Sequence, residues 1–102
     1  LNKLMSTTSI DIGTFITRTP GLHNNSPHIA GKGVTVRRIA YLYKQGFNGE
    51  EIADRIEHLN LAEVYTALAY YHANKQEIEA DLAHQAAEAK RLEALHEQKS
   101  GN

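Results

Sequence analysis

The stretch Gln45-Gly46-Phe47-Asn48-Gly49-Glu50-Glu51-Ile52-Ala53 does most to limit what this chain can become. A helix ends at Gly46, because glycine takes the left-handed conformation after a helix without a Cβ penalty. Asn48 then caps a new helix, with Glu51 three residues on at the spacing of a capping box. The same signal returns twelve residues later as Asn60-Leu61-Ala62-Glu63. Two starts so close together leave room for a helix of about two turns and a tight turn. A short helix, a turn and a longer helix form the skeleton of a helix-turn-helix.

The flanking sequence fills in a mainly α fold: a three-helix helix-turn-helix bundle with a short N-terminal β-arm and a long C-terminal helix. Helix one is expected over 36–45, with Val36, Ile39, Ala40, Leu42 and Tyr43 on its apolar stripe and Arg37, Arg38 and Lys44 facing out. Helix two is expected over 49–56, burying Ile52, Ala53 and Ile56. Helix three is expected over 61–73. Its core face is Leu61, Val64, Leu68 and Tyr71, and its outer face is Ala62, Glu63, Thr66, Ala69 and Tyr70. Helix four is expected over 75–99, free of Gly and Pro and rich in Ala, Glu, Lys and Leu. Its stripe of Ile78, Leu82, Ala86, Ala89, Leu92 and Leu95 is narrow, more a seam for a partner than half of a core. An isolated helix of this length is only partly stable in water, so its far half past about Ala86 is expected to fray until bound.

Before the helices, Thr14–Thr17 reads as a short strand. His28–Ala30 and Val34–Val36 read as a ribbon around Gly31-Lys32-Gly33. A lone ribbon is marginal and must pack on the helices or pair with a second chain; pairing between protomers is expected. Three segments follow: a flexible N-terminus (1–15), the helix-turn-helix domain (16–82) and a helical tail (83–102). Leu1 is not Met, so the chain is read as a fragment or as starting at Met5.

The chain has 102 residues, enough for one small core. It has no cysteine, hence neither disulfide framework nor thiolate zinc site. No apolar run approaches the ~20 residues of a membrane span, and no basic-then-apolar leader opens it; a cytoplasmic location is expected. A net charge of -1 hides an asymmetry: five positive charges in excess through Phe47, six negative in excess after it. Opposite signs at the two ends suggest two jobs or two partners, or merely a solvated acidic helix.

Chemistry-bearing constellations are few. Gly31-Lys32-Gly33 lacks the rest of a phosphate loop. Asp81-x-x-His84 and Glu93-x-x-His96 have the spacing of di-metal bundles, but the other helices offer no matching ligands, so neither metal nor cofactor is expected. No nucleophile–base set is recognisable, so no catalytic residue is assigned and no enzyme is expected. His23, Asn24, Asn25 and His28 form a polar loop without a carboxylate. Lys32, Arg37, Arg38 and Lys44 are the candidate phosphate-contacting set.

Ile16-Thr17-Arg18-Thr19-Pro20, Ser26-Pro27-His28-Ile29-Ala30-Gly31, Val36 to Gly46, Glu50-Glu51-Ile52-Ala53 and Leu61 to Tyr71 resemble domain-of-unknown-function family 433, small bacterial antitoxin-like proteins. The run from Val64 to Tyr71 is the most specific part. Two departures stand out. Lys32-Gly33 follows Gly31 where the family has Thr-Arg, and Asn24-Asn25 stand where glycines are usual. The resemblance implies a dimeric helix-turn-helix and an antitoxin paired with a toxin, often a PIN-like ribonuclease.

The expected function is therefore a homodimeric DNA-binding antitoxin that represses its own operator and neutralises its toxin. Lys32, Arg37, Arg38, Lys44, Asn60, Ala62, Thr66 and Tyr70 would meet DNA. Ile78, Leu82, Ala89, Leu92 and Leu95 would hold the toxin, with Lys90 or Arg91 capping a carboxylate-rich nuclease site. The rival is a dimeric protein-interaction adaptor that does not bind DNA, favoured by Glu63, unwelcome beside phosphate, and by the modest basic count.

Overall fold

The computed structural model describes residues 8–100. Lys3, Met5 and the first part of the polar N-terminal stretch lie outside the described residues.

Asp11 opens the described order. Its carboxylate accepts from the Gly13 N–H at 3.0 Å and its carbonyl from the Thr14 hydroxyl at 2.7 Å. These bonds close a 3-10 turn over Ile12–Phe15, which leads into strand β1 (Ile16–Thr17). β1 pairs antiparallel with β2 (His28–Ile29), Ile16 opposite Ile29 and Thr17 opposite His28. The ribbon expected between 28–30 and 34–36 is only an isolated bridge, His28 to Thr35. Val36 is already helical, because Thr35 caps helix α1 (Val36–Lys44) by accepting from the Arg38 N–H at 3.1 Å. The second strand therefore comes from before the loop. In that loop His23, Asn24 and Asn25 all have positive φ, at 52°, 58° and 63°. Asparagine tolerates this region better than most residues, which explains how two asparagines hold a turn where glycines were expected.

Gly46, at φ 104°, ends α1 as expected. The two capping boxes are both formed. Asn48 and Glu51 exchange bonds at 2.9 Å to start α2 (Gly49–Arg55). Asn60 and Glu63 exchange bonds at 2.8 and 3.0 Å to start α3 (Leu61–Ala73). The α2–turn–α3 unit is thus built by local hydrogen bonds that satisfy helix-start amides. Gly49 allows the two helices to meet: a Cβ there would fall 2.5 Å from the Tyr65 ring.

Asn74, with φ -128° and ψ 45°, separates α3 from α4 (Lys75–Ser100). The core gathers one face of each helix and one strand: Ile29, Val36, Ile39, Ile52, Val64, Ala67, Tyr71 and Ile78. Two expected core residues fall short. Leu61, the first residue of α3, is 43% exposed, and Tyr43 near the end of α1 is 37% exposed. Ala67, which the sequence reading did not place in the core, is fully buried. Among the described residues no helix is long and apolar enough to cross a membrane.

Candidate functional site

The surface is organised by four ion pairs, and all of them tie the basic first half of the chain to the acidic second half. Lys32 pairs with Glu63 at 2.8 Å, Arg37 with Asp81 at 3.3 Å, Lys44 with Glu79 at 2.6 Å, and Arg18 with Glu77. Part of the charge asymmetry of the sequence is therefore closed within the fold as an internal seam. Three of the carboxylates flank the buried Ile78 on the first two turns of α4. Hydrophobic burial fixes that end of α4, and the surrounding charges fix its rotation.

Each node is hydrogen-bonded beyond its pair. The Arg18 guanidinium also donates to the Asn25 carbonyl at 3.0 Å and to the Tyr70 hydroxyl at 2.9 Å. Tyr70 donates in turn to Glu77 at 2.9 Å. The bond to Glu77 raises the Arg18 pKa further, while burial, helped by Glu77, raises that of Tyr70. Asp81 accepts from the Ser26 hydroxyl at 2.8 Å as well as from Arg37. Glu79 accepts from Tyr71 at 2.5 Å. That bond and burial push the Tyr71 hydroxyl up to about 12. Lys32 also donates to the His58 carbonyl. Burial works to raise the Glu63 pKa, but the bonds from Lys32 and the Asn60 N–H outweigh it and hold the carboxyl below its ordinary value.

Against this geometry the expected DNA-facing residues divide. Lys32, Arg37 and Lys44 are held by carboxylates, Arg37 with a side chain only 18% exposed. Arg38 is exposed, and among the described residues its side chain has no carboxylate partner. Asn60 is spent on its cap, Thr66 donates to the Ala62 carbonyl at 2.6 Å, and Tyr70 belongs to the Arg18–Glu77 node. Ala62 is exposed, as are Leu61 and Tyr65 beside it. Glu63, placed on the outer face from the sequence, is instead buried by its double role as cap and as partner of Lys32. The outer side of α3 is also partly walled: Ile12, Ile16 and Thr17 of the arm form a groove with Thr66, Ala69 and Ala73.

The expected partner residues divide at Leu82. Ile78 is fully buried, a correction to its place on a free seam. It is the α4 residue that closes the core, so no partner can reach it. Leu82 is half-buried against that core. From Ala83 to Lys99 every residue is exposed except the partly covered Glu88, and Leu92 and Leu95 are 55% and 45% exposed.

His28 does structural work. Its Nδ1 faces two carbonyls, Ile29 at 3.0 Å and Lys32 at 3.2 Å, so Nδ1 carries the proton and Nε2 accepts from Thr19 at 2.9 Å. Asp81 is committed to Arg37 and Ser26, and His84 beside it is exposed. Sequence reasoning missed Arg18, Ser26, Glu77 and Glu79. The available signal was the spacing of Glu77, Glu79 and Asp81 around Ile78, a cluster of acids at the start of a helix that the basic half could meet.

A two-strand arm, a doubly capped bihelical unit and a helix packed across them define a small helix-turn-helix protein. The family model described as "Protein of unknown function (DUF433)" matches residues 16–71, more than half of the chain, and the chain belongs to that family. The same fold is seen in the crystal structure of a DUF433 member protein from Anabaena variabilis ATCC 29413, 23% identical, with a TM-score of 0.64 over 69% of each chain. No curated protein matches the chain. The matched segment ends at Tyr71, so α4 lies beyond it.

Proposed function

We propose that this chain is the antitoxin-type member of a two-protein pair, and that it holds its partner protein with the distal half of α4. The observation that carries this reading is the exposure of Leu92 and Leu95 on a helix that runs well past the last core contact. A helix presenting aliphatic side chains at such spacing suits a hydrophobic groove on a partner. The partner chemistry that fits is an apolar groove with charges of both signs at its rim, because Lys90 and Arg91 precede the two leucines and Glu93 and Glu97 stand among and after them. A PIN-like ribonuclease toxin is the candidate partner.

The experiment is neutralisation. The neighbouring reading frame is expressed alone, with this chain, and with its Leu92→Asp/Leu95→Asp variant. Growth arrest by the neighbour, relief by the intact chain and no relief by the variant support the reading. Relief by the variant, or no arrest at all, contradicts it.

Operator binding is the second reading, favoured by the exposed start of α3 at Leu61, Ala62 and Tyr65. Three of the four candidate phosphate contacts are engaged within the fold, so binding that keeps the seam intact should depend weakly on salt. Each phosphate neutralised adds about 0.9 to the logarithmic salt slope. A shift of the upstream region with a slope no greater than roughly two per dimer fits an intact seam, whether or not the two Arg38 residues reach phosphate. A steep slope means that the seam opens on DNA, and no shift removes this reading.

A further inference from the structure

An open groove of about 670 Å³ runs between α1 and α4, and neither Leu92 nor Leu95 lines it. Leu82, Ala86 and Ala89 form its floor, and Tyr41 and Arg38 of α1 form its wall. Tyr41 is 52% exposed there. Lys90 and Glu93 stand at the far end. Arg38, Lys90 and Glu93 have no ion pair among the described residues, in contrast to the cations of the seam.

We infer that this groove receives the same stretch of α4 from a second copy of the chain, running antiparallel. Two-fold association requires a surface that complements itself. Along α4, Leu82, Ala86, Ala89 and Glu93 follow one face at steps of three or four, and Glu97 continues it by one turn. Turned antiparallel about a point midway between Ala86 and Ala89, the second copy lays its alanines on the first. Its Glu93 comes level with Leu82, on the wall of the groove that Arg38 lines. The symmetry repeats each contact. A parallel register would instead set Lys90 beside Lys90 and Glu93 beside Glu93, which like charges oppose. The alanine floor permits the close axis separation of packed helices, about 8–10 Å. Leu95 lies roughly 140° round the helix from Leu82 at 3.6 residues per turn, so it stays outside the groove and remains free for the partner protein. The arm needs no second chain in this arrangement, since β1 and β2 already pair within one.

The absence of cysteine makes the test clean. The full chain is sedimented across micromolar concentrations. Ala89→Cys, Leu95→Cys and Thr17→Cys variants are treated with a short bis-maleimide. The expected result is a dimer in which Ala89→Cys cross-links most strongly. Glu93→Arg should weaken the dimer by about tenfold or more, and Arg38→Glu added to it should restore association. Helical circular dichroism should stay unchanged, because these sites are exposed. A wild-type chain that stays monomeric to high micromolar concentration overturns the inference. So does cross-linking led by Thr17→Cys or Leu95→Cys, or a dimer indifferent to Glu93→Arg.

Discussion

The two halves of α4 share a composition and differ in almost everything else. Up to Leu82 the helix closes the core through Ile78 and is gripped by Arg18, Arg37 and Lys44 through Glu77, Asp81 and Glu79. Beyond it, the same mixture of Ala, Glu, Lys and Leu continues with no described core contact. Helical propensity accounts for both halves being helical, but it does not say which one is anchored. Anchoring follows from where cations of the first half stand in space, a long-range property. The comparison also separates two uses of charge: in the proximal half it ties the helix to the first half of the chain, whereas in the distal half Arg91 pairs with Glu88 at 3.0 Å within the helix itself.

The largest effect should come from the core end. Ile78→Ala removes a fully buried side chain and should cost roughly 2–5 kcal/mol in urea unfolding. Leu95→Ala should leave stability within about 0.5 kcal/mol, as for an exposed site away from special features. Equal losses would erase the distinction between the halves.

Next comes the close contact beneath the bihelical unit. Gly49→Ala places a methyl group against Tyr65 and should cost roughly 1–3 kcal/mol. The double variant with Tyr65→Ala should recover part of it, whereas strict additivity would show that Tyr65 does not lie across Gly49. Asn60→Ala should cost about 1 kcal/mol, because the Glu63 N–H loses the side-chain oxygen that caps it while the Asn60 N–H still donates to the Glu63 carboxylate.

The smallest effect sharpens the seam. The folded Glu63 carboxyl has a lowered pKa, so its contribution is present above the ordinary carboxylate range and is lost as pH falls through the folded value. Glu63→Gln should therefore flatten the acid limb of stability below about pH 4.3. An unchanged acid limb would mean that Lys32 and Asn60 do not hold the charged form.

The local parts of the fold were legible. Gly46, Asn48 with Glu51, and Asn60 with Glu63 act within four residues, and they set the starts of α2 and α3 and the end of α1 to within a residue. The arm was legible only in outline. Which segment pairs with His28–Ile29 depends on the left-handed run at 23–25, and asparagine there gave a weaker signal than glycine. The site was the least legible part. Arg37 and Lys44 read as outward cations because their helix alone says so; Asp81 and Glu79 reach them from more than thirty residues away. Glu63 read as an obstacle to DNA on an outer face, whereas its cap and its lysine draw it inside.

Native-state amide exchange along α4, at a concentration low enough to keep the chain from self-association, addresses the division of this helix most directly. The amides of Glu79 to Leu82 should exchange near the rate of global unfolding, and those of Leu95 to Lys99 orders of magnitude faster. Uniform protection from Glu79 to Lys99 would contradict a helix anchored at one end and free at the other.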